Sequence, residues 1–216
     1  FDFPDENGKP YKSSGGKMVY NKELKREIPY GWTSNHVGKL LVNDLSKQKV
    51  PKKYYQKKGI IPVIDQSSDF IAGYTDDHSS LIETEEPRII FGDHTRIFKL
   101  VNFNFARGAD GTKCLLSKNR NVPQHFFYHS LLKIDLSNYG YSRYFKFLKE
   151  SQIIVPTFAV SSQFEKITNS LYSQIKNNVF ETIKLEELRD WLLPMLMNGQ
   201  VTVSEERMKS LSKSNN

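Results

Sequence analysis

Residues 89–99 read Ile89-Ile90-Phe91-Gly92-Asp93-His94-Thr95-Arg96-Ile97-Phe98-Lys99. An apolar run leads into a polar turn that contains Gly92. After the turn, one face would carry Ile97, Lys99, Val101 and Phe103, and the other would carry Phe98, Leu100 and Asn102. Such alternation is typical of a β-strand with two different faces. The stretch therefore predicts a strand, a turn and a second strand.

A second turn follows at residues 108–111, which read Gly-Ala-Asp-Gly. Glycine adopts positive φ without steric cost, and an Asp-Gly pair is typical of a short hairpin loop. We therefore expect a hairpin in which the chain returns along residues 112–116.

Other segments predict further strands and short helices. Strands are expected at residues 60–64 and 70–74 on either side of a polar turn, and a last strand at residues 153–155 is stopped by Pro156. A short amphipathic element is predicted at residues 37–41, and residues 126–136 are compatible with a helix or a strand. Together with the helix described next, these elements predict an α+β fold.

From Ser161 onward the apolar period changes to steps of three and four residues, which predicts a helix over residues 163–193. About 31 residues at 1.5 Å each form a rod of roughly 45 Å. Ser161 or Ser162 can cap its start with Glu165 completing a capping box, Pro194 should kink or end it, and Gly199 should close it. A pair of shorter helices broken near residues 177–178 is the alternative.

A helix this long exposes more apolar surface than its own domain can cover, so we expect it to pair with a second helix in a coiled coil. The residues expected to contact that partner form one apolar stripe: Phe164, Ile167, Leu171, Ile175, Val179, Ile183 and Leu188.

Charge is unevenly distributed along the chain, which has 31 lysines and arginines against 24 acidic residues and a net charge of +7. Residues 61–91 hold seven acids and one arginine, residues 92–150 hold ten lysines and arginines and four acids, and residues 47–58 hold six lysines. A basic balance favours a polyanionic partner. If nucleic acid binds, the two basic segments should contact it.

Within the basic segment, cations alternate with amides that can read base edges in the DNA major groove. The candidate DNA-binding residues are Arg107, Lys113, Lys118, Asn119, Arg120 and Asn121, with Arg143 and Lys146 as further phosphate contacts. The same composition also describes exposed loops without a ligand, and that alternative stays open.

Catalytic and metal-binding patterns are weak. Asp93 and His94 include an acid and a possible base, but neighbouring residues on a strand point to opposite faces, so hydrogen bonds within the turn are the favoured interpretation. Cys114 is the single cysteine and there is no histidine–cysteine cluster or phosphate-binding glycine loop, so we expect no metal, no cofactor and no enzymatic activity. We expect a soluble, cytoplasmic protein that does not enter a membrane. Because residue 1 is Phe rather than Met, we expect the chain to be a fragment or to begin at the first ordered residue.

Several of these segments, in order, resemble one target-recognition half of the DNA-specificity subunit of type I restriction-modification systems. They are "IPVIDQSSDFIAGYTDD", "IIFGDHTRIFKLVNFNFARGADGTKCLL" and the long helix, preceded by the opening residues "FDFPDENGKPYKSSGGKMVYNKELKREIPYGW". The resemblance implies a linker at residues 1–27, a target-recognition domain at 28–158, a conserved-region helix at 159–199 and a polar tail at 200–216.

The resemblance also implies a function and partners. A non-catalytic specificity subunit recognises double-stranded DNA and directs DNA methylation by methyltransferase subunits and cleavage through the restriction subunit. The long helix sets the distance between two recognition domains and docks the methyltransferase, and here the second half would be a separate partner or a second copy. The alternative is a helix-mediated assembly module with only incidental nucleic-acid contact.

Overall fold

The computed structural model describes residues 1–5, 7–42, 48–108, 111–140 and 143–201. The strands are β1 (Met18–Asn21), β2 (Arg26–Pro29), β3 (Thr33–His36), β4 (Ile61–Ile64), β5 (Gly73–Thr75), β6 (Leu81–Ile82), β7 (Arg88–Gly92), β8 (Phe98–Val101), β9 (Phe105–Arg107), β10 (Thr112–Leu115) and β11 (Gln152–Val155). The α-helices are α1 (Val37–Leu40), α2 (Gln124–Leu131), α3 (Tyr144–Glu150) and α4 (Phe158–Met197).

The predicted strand–turn–strand unit forms the centre of the domain. β7 pairs antiparallel with β8 on one side and with β10 on the other. Ile89, Ile90 and Phe91 of β7 are all at most 1% exposed, so both faces of the strand are covered. A continuous apolar run is what a strand buried on both faces requires.

A second sheet is mixed, with the order β5-β4-β9-β6. β4 pairs antiparallel with β5 and parallel with β9, whereas β6 pairs antiparallel with β9. All four residues of β4 are buried, which confirms the strand predicted there. The second predicted strand begins later than expected, at Gly73 rather than residue 70.

The hairpin predicted around residues 108–111 is wrong. β9 lies in the mixed sheet and β10 pairs with β7, so among the described residues these two strands do not pair with each other. Residues 109 and 110 of the predicted turn lie outside the described residues. Turn chemistry indicates that a chain changes direction, but the burial of the flanking strands decides which sheet each one joins.

The main core lies where the helices α1, α2 and α3 cover the central sheet. It is built from 15 buried residues: Val37, Leu40, Leu41, Ile89, Phe91, Leu100, Leu115, Val122, Phe127, Leu131, Leu136, Tyr144, Leu148, Ile153 and Val155. Residues 126–136, predicted to form a helix or a strand, lie mostly in α2. β11 pairs antiparallel with β3, which joins the two ends of the core-forming segment.

The segment predicted to be an extended linker has regular structure. β1 and β2 pair with Met18 opposite Pro29 and Asn21 opposite Arg26. Upstream, the ring of Phe3 stacks on that of Trp32 with 5.2 Å between centroids. Pro4 and Pro10 face each other in an antiparallel bridge, and Gly8 and Gly15 adopt positive φ as turns require.

α4 is a continuous helix of 40 residues, which confirms the long helix and removes the alternative break near residues 177–178. Its predicted start is wrong: the helix begins at Phe158, and Ser161 is fully buried with its hydroxyl bonded to the Phe158 carbonyl oxygen. Glu165 bonds His125 instead of completing a capping box.

The end of α4 also differs in part from expectation. Pro194 lies inside the helix, which continues to Met197 because proline removes a single donor while its own carbonyl accepts from the Asn198 N–H at 3.0 Å. Gly199 closes the helix with a φ of +67°. The Gly199 and Gln200 amides donate to the carbonyl oxygens of Leu196 and Met195, which is a Schellman motif.

Two compact units divide the chain, Phe1–Tyr172 and a second that starts at Ser173. The polar tail predicted at residues 200–216 lies outside the described residues beyond residue 201. In the described ranges, no helix combines the length and the apolar character needed to cross a membrane.

Candidate nucleic-acid interface

The end of β9 brings Arg107 next to the lysine-rich segment. The Val50 N–H donates to the Arg107 carbonyl oxygen at 3.0 Å, and Val50 forms a parallel bridge with Gly108. Lys52 and Lys53 follow in an exposed 3₁₀ turn at Lys52–Tyr54. Two basic segments that are about 50 residues apart in sequence are therefore joined by backbone pairing, and both are the segments expected to contact nucleic acid if it binds.

Close packing fixes this junction. The Tyr55 hydroxyl donates to Asp65 Oδ2 at 3.3 Å, and Ser67 donates to Asp65 Oδ1 through both its amide and its hydroxyl. A Cβ at Gly108 would overlap the Tyr55 hydroxyl and Asp65 Cβ, so this position requires glycine. Burial raises the pKa of Asp65, but the Ser67 hydrogen bonds, the Lys99 charge and the Tyr55 hydroxyl outweigh it, so the pKa lies below 3.8.

Asp93, which follows β7, holds the start of α3. Asp93 is 3% exposed, its Oδ1 accepts from the Phe145 N–H at 2.8 Å, and its carbonyl oxygen accepts from the Tyr144 N–H at 3.0 Å. Lys113 Nζ lies 3.7 Å from Asp93 Oδ2. The Asp93 carboxylate therefore caps a helix and neutralises a lysine.

A cationic surface surrounds α3. The ammonium groups of Lys113 and Lys149 lie 5.4 and 5.2 Å from the centroid of the Phe145 ring. Arg143 and Lys146 are exposed at the start and in the middle of the same helix. We call Arg143, Lys146, Lys149 and Lys113 the α3 surface.

The remaining predicted DNA contacts lie elsewhere, in the loop before α2. The Asn119 side-chain oxygen accepts from the Asn121 N–H at 2.9 Å, which shapes the loop. The guanidinium of Arg120 lies 3.8 Å from the Phe158 ring centroid. Lys118 and Arg120 share an open recess of about 500 Å³ with Glu85, Glu86 and Glu165. Neither Arg107 nor Lys113 is among the described residues that line this recess, and the contact of the loop with DNA stays a prediction.

Two lysines differ from what the sequence suggested. Lys149 was not predicted as a candidate contact, and Lys99 is buried. Lys149 follows Lys146 by three residues on one helix, a spacing that would have revealed it if residues 144–150 had been assigned as helical. Lys99 counted among the basic residues but is 5% exposed, and its ammonium group donates to the Asp69 carbonyl oxygen. Burial lowers the pKa of Lys99 against the opposing charges of Asp65 and Asp69.

The predicted partner-helix residues differ in exposure. Ile167 is 64% exposed, Leu171 and Ile175 are each 52% exposed, and Leu188 is 51% exposed. Val179 and Ile183 are half-buried. Phe164 is also half-buried, and its ring lies 5.8 Å from the rings of Phe126 and His129 on α2. Phe164 thus contributes to the attachment of α4 to its own domain.

Two known proteins that match this chain are both specificity subunits of type I restriction enzymes. A type I restriction enzyme specificity subunit of Methanocaldococcus jannaschii is 26% identical over 217 residues, which cover 91% of this chain. Over most of its length this chain is therefore similar to a type I specificity subunit. The specificity subunit of a type I restriction enzyme of Escherichia coli is 27% identical over 121 residues, or 52% of this chain and 28% of that protein.

No family model matches this chain. A crystal structure of a type I specificity subunit from M. genitalium superposes with a TM-score of 0.50 at 18% identity, over 75% of this chain and 44% of that one. This likeness confirms the α+β fold with a long C-terminal helix. The chain spans half the length of the archaeal specificity subunit.

Proposed function

We propose that this chain recognises double-stranded DNA in a sequence-specific way, as the non-catalytic specificity component of a type I restriction-modification complex. Its methyltransferase partners would modify the selected site, and the restriction subunit would act through the same complex. The proposal is supported by the relationship to specificity subunits and by the arrangement of exposed cations.

The observation that carries the proposal is the path of the chain from β9 to β10. The Arg107 carbonyl oxygen, at the end of β9, accepts from the Val50 N–H, two residues before Lys52, whereas Lys113, in β10, lies beside Phe145 of α3. Only residues 108–111 separate the two strands. Cations that are distant in sequence therefore flank one short connection, an arrangement suited to the phosphates of a duplex.

The α3 surface would mainly position the protein on the duplex. Lysine ammonium groups contact phosphates without reading bases, and a helix held by Asp93 presents them in a fixed arrangement. Base reading requires bidentate groups such as Arg107, Arg120 or Asn121. Arg107 is the strongest of these candidates because its backbone is bonded to Val50, just before the lysine turn.

The long helix would mediate assembly with a partner helix. Ile167, Leu171 and Ile175 expose an apolar stripe, which is the surface expected to pair with the helix of a second specificity half or a second copy. This stripe also favours the second candidate function, an assembly module that touches DNA incidentally. Salt dependence separates the two, because phosphate contacts release counterions and an apolar helix interface does not.

The test is DNA binding by the chain mixed with its host methyltransferase subunit. Duplexes selected from a random library should share a defined sequence, and affinity should fall with salt. Replacing Lys146 and Lys149 by alanine should reduce the slope of log affinity against log salt by about 0.9 for each phosphate that the protein no longer neutralises. Lys12→Ala with Lys22→Ala is the matched control, because both lysines are exposed in the N-terminal segment.

Three results would contradict the proposal: no enriched sequence, a slope equal in the two double variants, or selection unchanged by Arg107→Ala. Sedimentation of the same mixtures gives a separate answer on assembly. A complex with the methyltransferase that shows no preference among duplexes would support the assembly module instead.

A further inference from the structure

A groove of about 610 Å³ lies on the Phe1–Tyr172 unit, away from the residues assigned to DNA. Its walls come from the β1–β2 hairpin, α2, β11 and the first turns of α4. Trp32, Phe126 and Phe164 supply aromatic surface to it, and the Phe126 and Phe164 rings meet edge to face at 5.8 Å. An apolar floor of this kind fits a buried side chain of a ligand.

The edge of β11 borders this groove. Gln152, Ile153 and Ile154 are consecutive, and all three line it. Successive side chains of a strand point to opposite faces, so three in a row line a cavity only where the strand edge faces it. Among the described residues β11 pairs with β3 alone, which leaves this edge without a second strand.

The charge around the groove has one sign. Arg26 and Lys133 are exposed lining residues, and none of the described residues that line the groove is acidic. Burial, together with the charges of His125 and Lys133, lowers the pKa of His129, so this third basic residue is neutral at neutral pH. The permanent positive charges therefore lie one on the β1–β2 hairpin and one just after α2.

We propose that this groove binds an extended peptide segment of a partner protein, in which an apolar residue is flanked by acidic residues and which adds as a third strand beside β11. Main-chain hydrogen bonds to the strand edge would supply affinity, and the aromatic floor would select the apolar side chain. The two rim cations select acidic flanks. Two cations over a mainly apolar floor suit such a peptide better than a nucleic-acid backbone, which needs a row of cations.

The test uses the peptide EEVFVEE with KKVFVKK as its control. Trp32 lines the groove, and the chain has one other tryptophan, so the Trp191→Phe protein reports binding through Trp32 fluorescence. We expect saturable binding of the acidic peptide, and slower hydrogen exchange of the amides of residues 152–155. An EEVFVEE peptide N-methylated at both valines should lose binding by more than about tenfold, because it cannot extend the sheet.

Reversing the charges of the two rim cations distinguishes binding in the groove from nonspecific binding of the peptide. Arg26→Glu with Lys133→Glu should weaken EEVFVEE by about tenfold and strengthen KKVFVKK. Lys39→Glu, an exposed lysine outside the groove, should change neither affinity. Circular dichroism confirms that the variants fold. Equal affinity for the two peptides, unchanged exchange at β11, or displacement of the peptide by duplex DNA would overturn the proposal.

Discussion

The carboxylate of Asp93, directly after β7, accepts a hydrogen bond of 2.8 Å from the backbone N–H of Phe145 in the first turn of α3. α3 has no side-chain cap of its own at Arg143, so the cap comes from a residue 52 positions earlier. The same carboxylate lies 3.7 Å from Lys113 Nζ. One buried acid thus holds together the central sheet, a helix and part of the proposed DNA surface.

Asp93→Ala should lower the free energy of unfolding by about 1 to 3 kcal/mol, because a helix cap and a buried acceptor are both removed. Asp93→Asn should lose less, since an amide oxygen can still accept from Phe145. Urea denaturation measures both. Asp135→Ala is the control, because that carboxylate is exposed and bonds the nearby Ser137. Equal stability of the Asp93→Ala and wild-type proteins would refute the capping role.

Glu165→Ala should lower the free energy of unfolding of the Phe1–Tyr172 unit by about 1 to 3 kcal/mol. His125 is fully buried, its Nδ1 lies 2.7 Å from Glu165 Oε1, and its ring stacks on that of Tyr172. Without Glu165, a buried ring nitrogen is left without its partner. The measurement is chemical denaturation against Glu181→Ala, an exposed glutamate of the same helix that should be neutral. A loss no larger than that of the control would contradict this assignment.

Cys114 should react slowly with thiol reagents in the folded protein. Burial raises the pKa of its thiol to about 11 despite the nearby charges of Arg88 and Arg107. At pH 8 only about one molecule in a thousand would then carry the thiolate, the reactive form. Labelling with a disulfide reagent should rise steeply when urea unfolds the chain, and fast labelling without urea would show that the thiol is accessible.

Asp65 should stabilise the fold in a pH-dependent way. Its pKa in the folded protein lies below the ordinary 3.8, so its contribution is present above about pH 4 and is lost as the pH falls through the folded pKa. The stability difference between the wild type and Asp65→Asn should therefore shrink as the pH decreases below 4. A difference that stays constant from pH 6 to pH 3 would rule out this linkage.

Leu171→Asp with Ile175→Asp should weaken association through α4 by more than about tenfold while the globular unit stays folded. Both side chains are 52% exposed, so the substitutions place charges in the expected interface without disturbing a core. Ser173→Asp with Asn177→Asp adds the same charges at the same spacing on exposed polar positions. Sedimentation that shows equal assembly of the two variants would eliminate the stripe as an interface.

Local sequence patterns predicted the strands and the helix whose formation depends on nearby residues. The apolar runs at residues 61–64, 89–91 and 153–155 are strands, and the three-and-four spacing predicted α4. The sequence could not show that β9 and β10 join different sheets, because a turn is compatible with either outcome. Nor could it show that Asp93 caps α3, since no local pattern marks a partner 52 residues away.

The candidate site shows the same limit. Arg107, Lys113 and Arg120 lie within 14 residues of sequence, which suggested one surface. In the structure Arg107 and Lys113 flank one connection, whereas Arg120 lies against Phe158 beside acidic residues. The division of charge along the chain was more informative than proximity within one loop, because it identified the lysine segment that contacts β9.

Because β3 pairs with β11, residues 33–155 form a segment whose two ends are adjacent. Thr33 lies opposite Val155, so the chain enters and leaves this segment at one place. Domains with adjacent ends tolerate transplantation, because a replacement has to match only one short junction. A recombination event at these two strands would exchange the surfaces proposed to read DNA while leaving α4, which begins at Phe158, unchanged, and would give a new target preference in a single step.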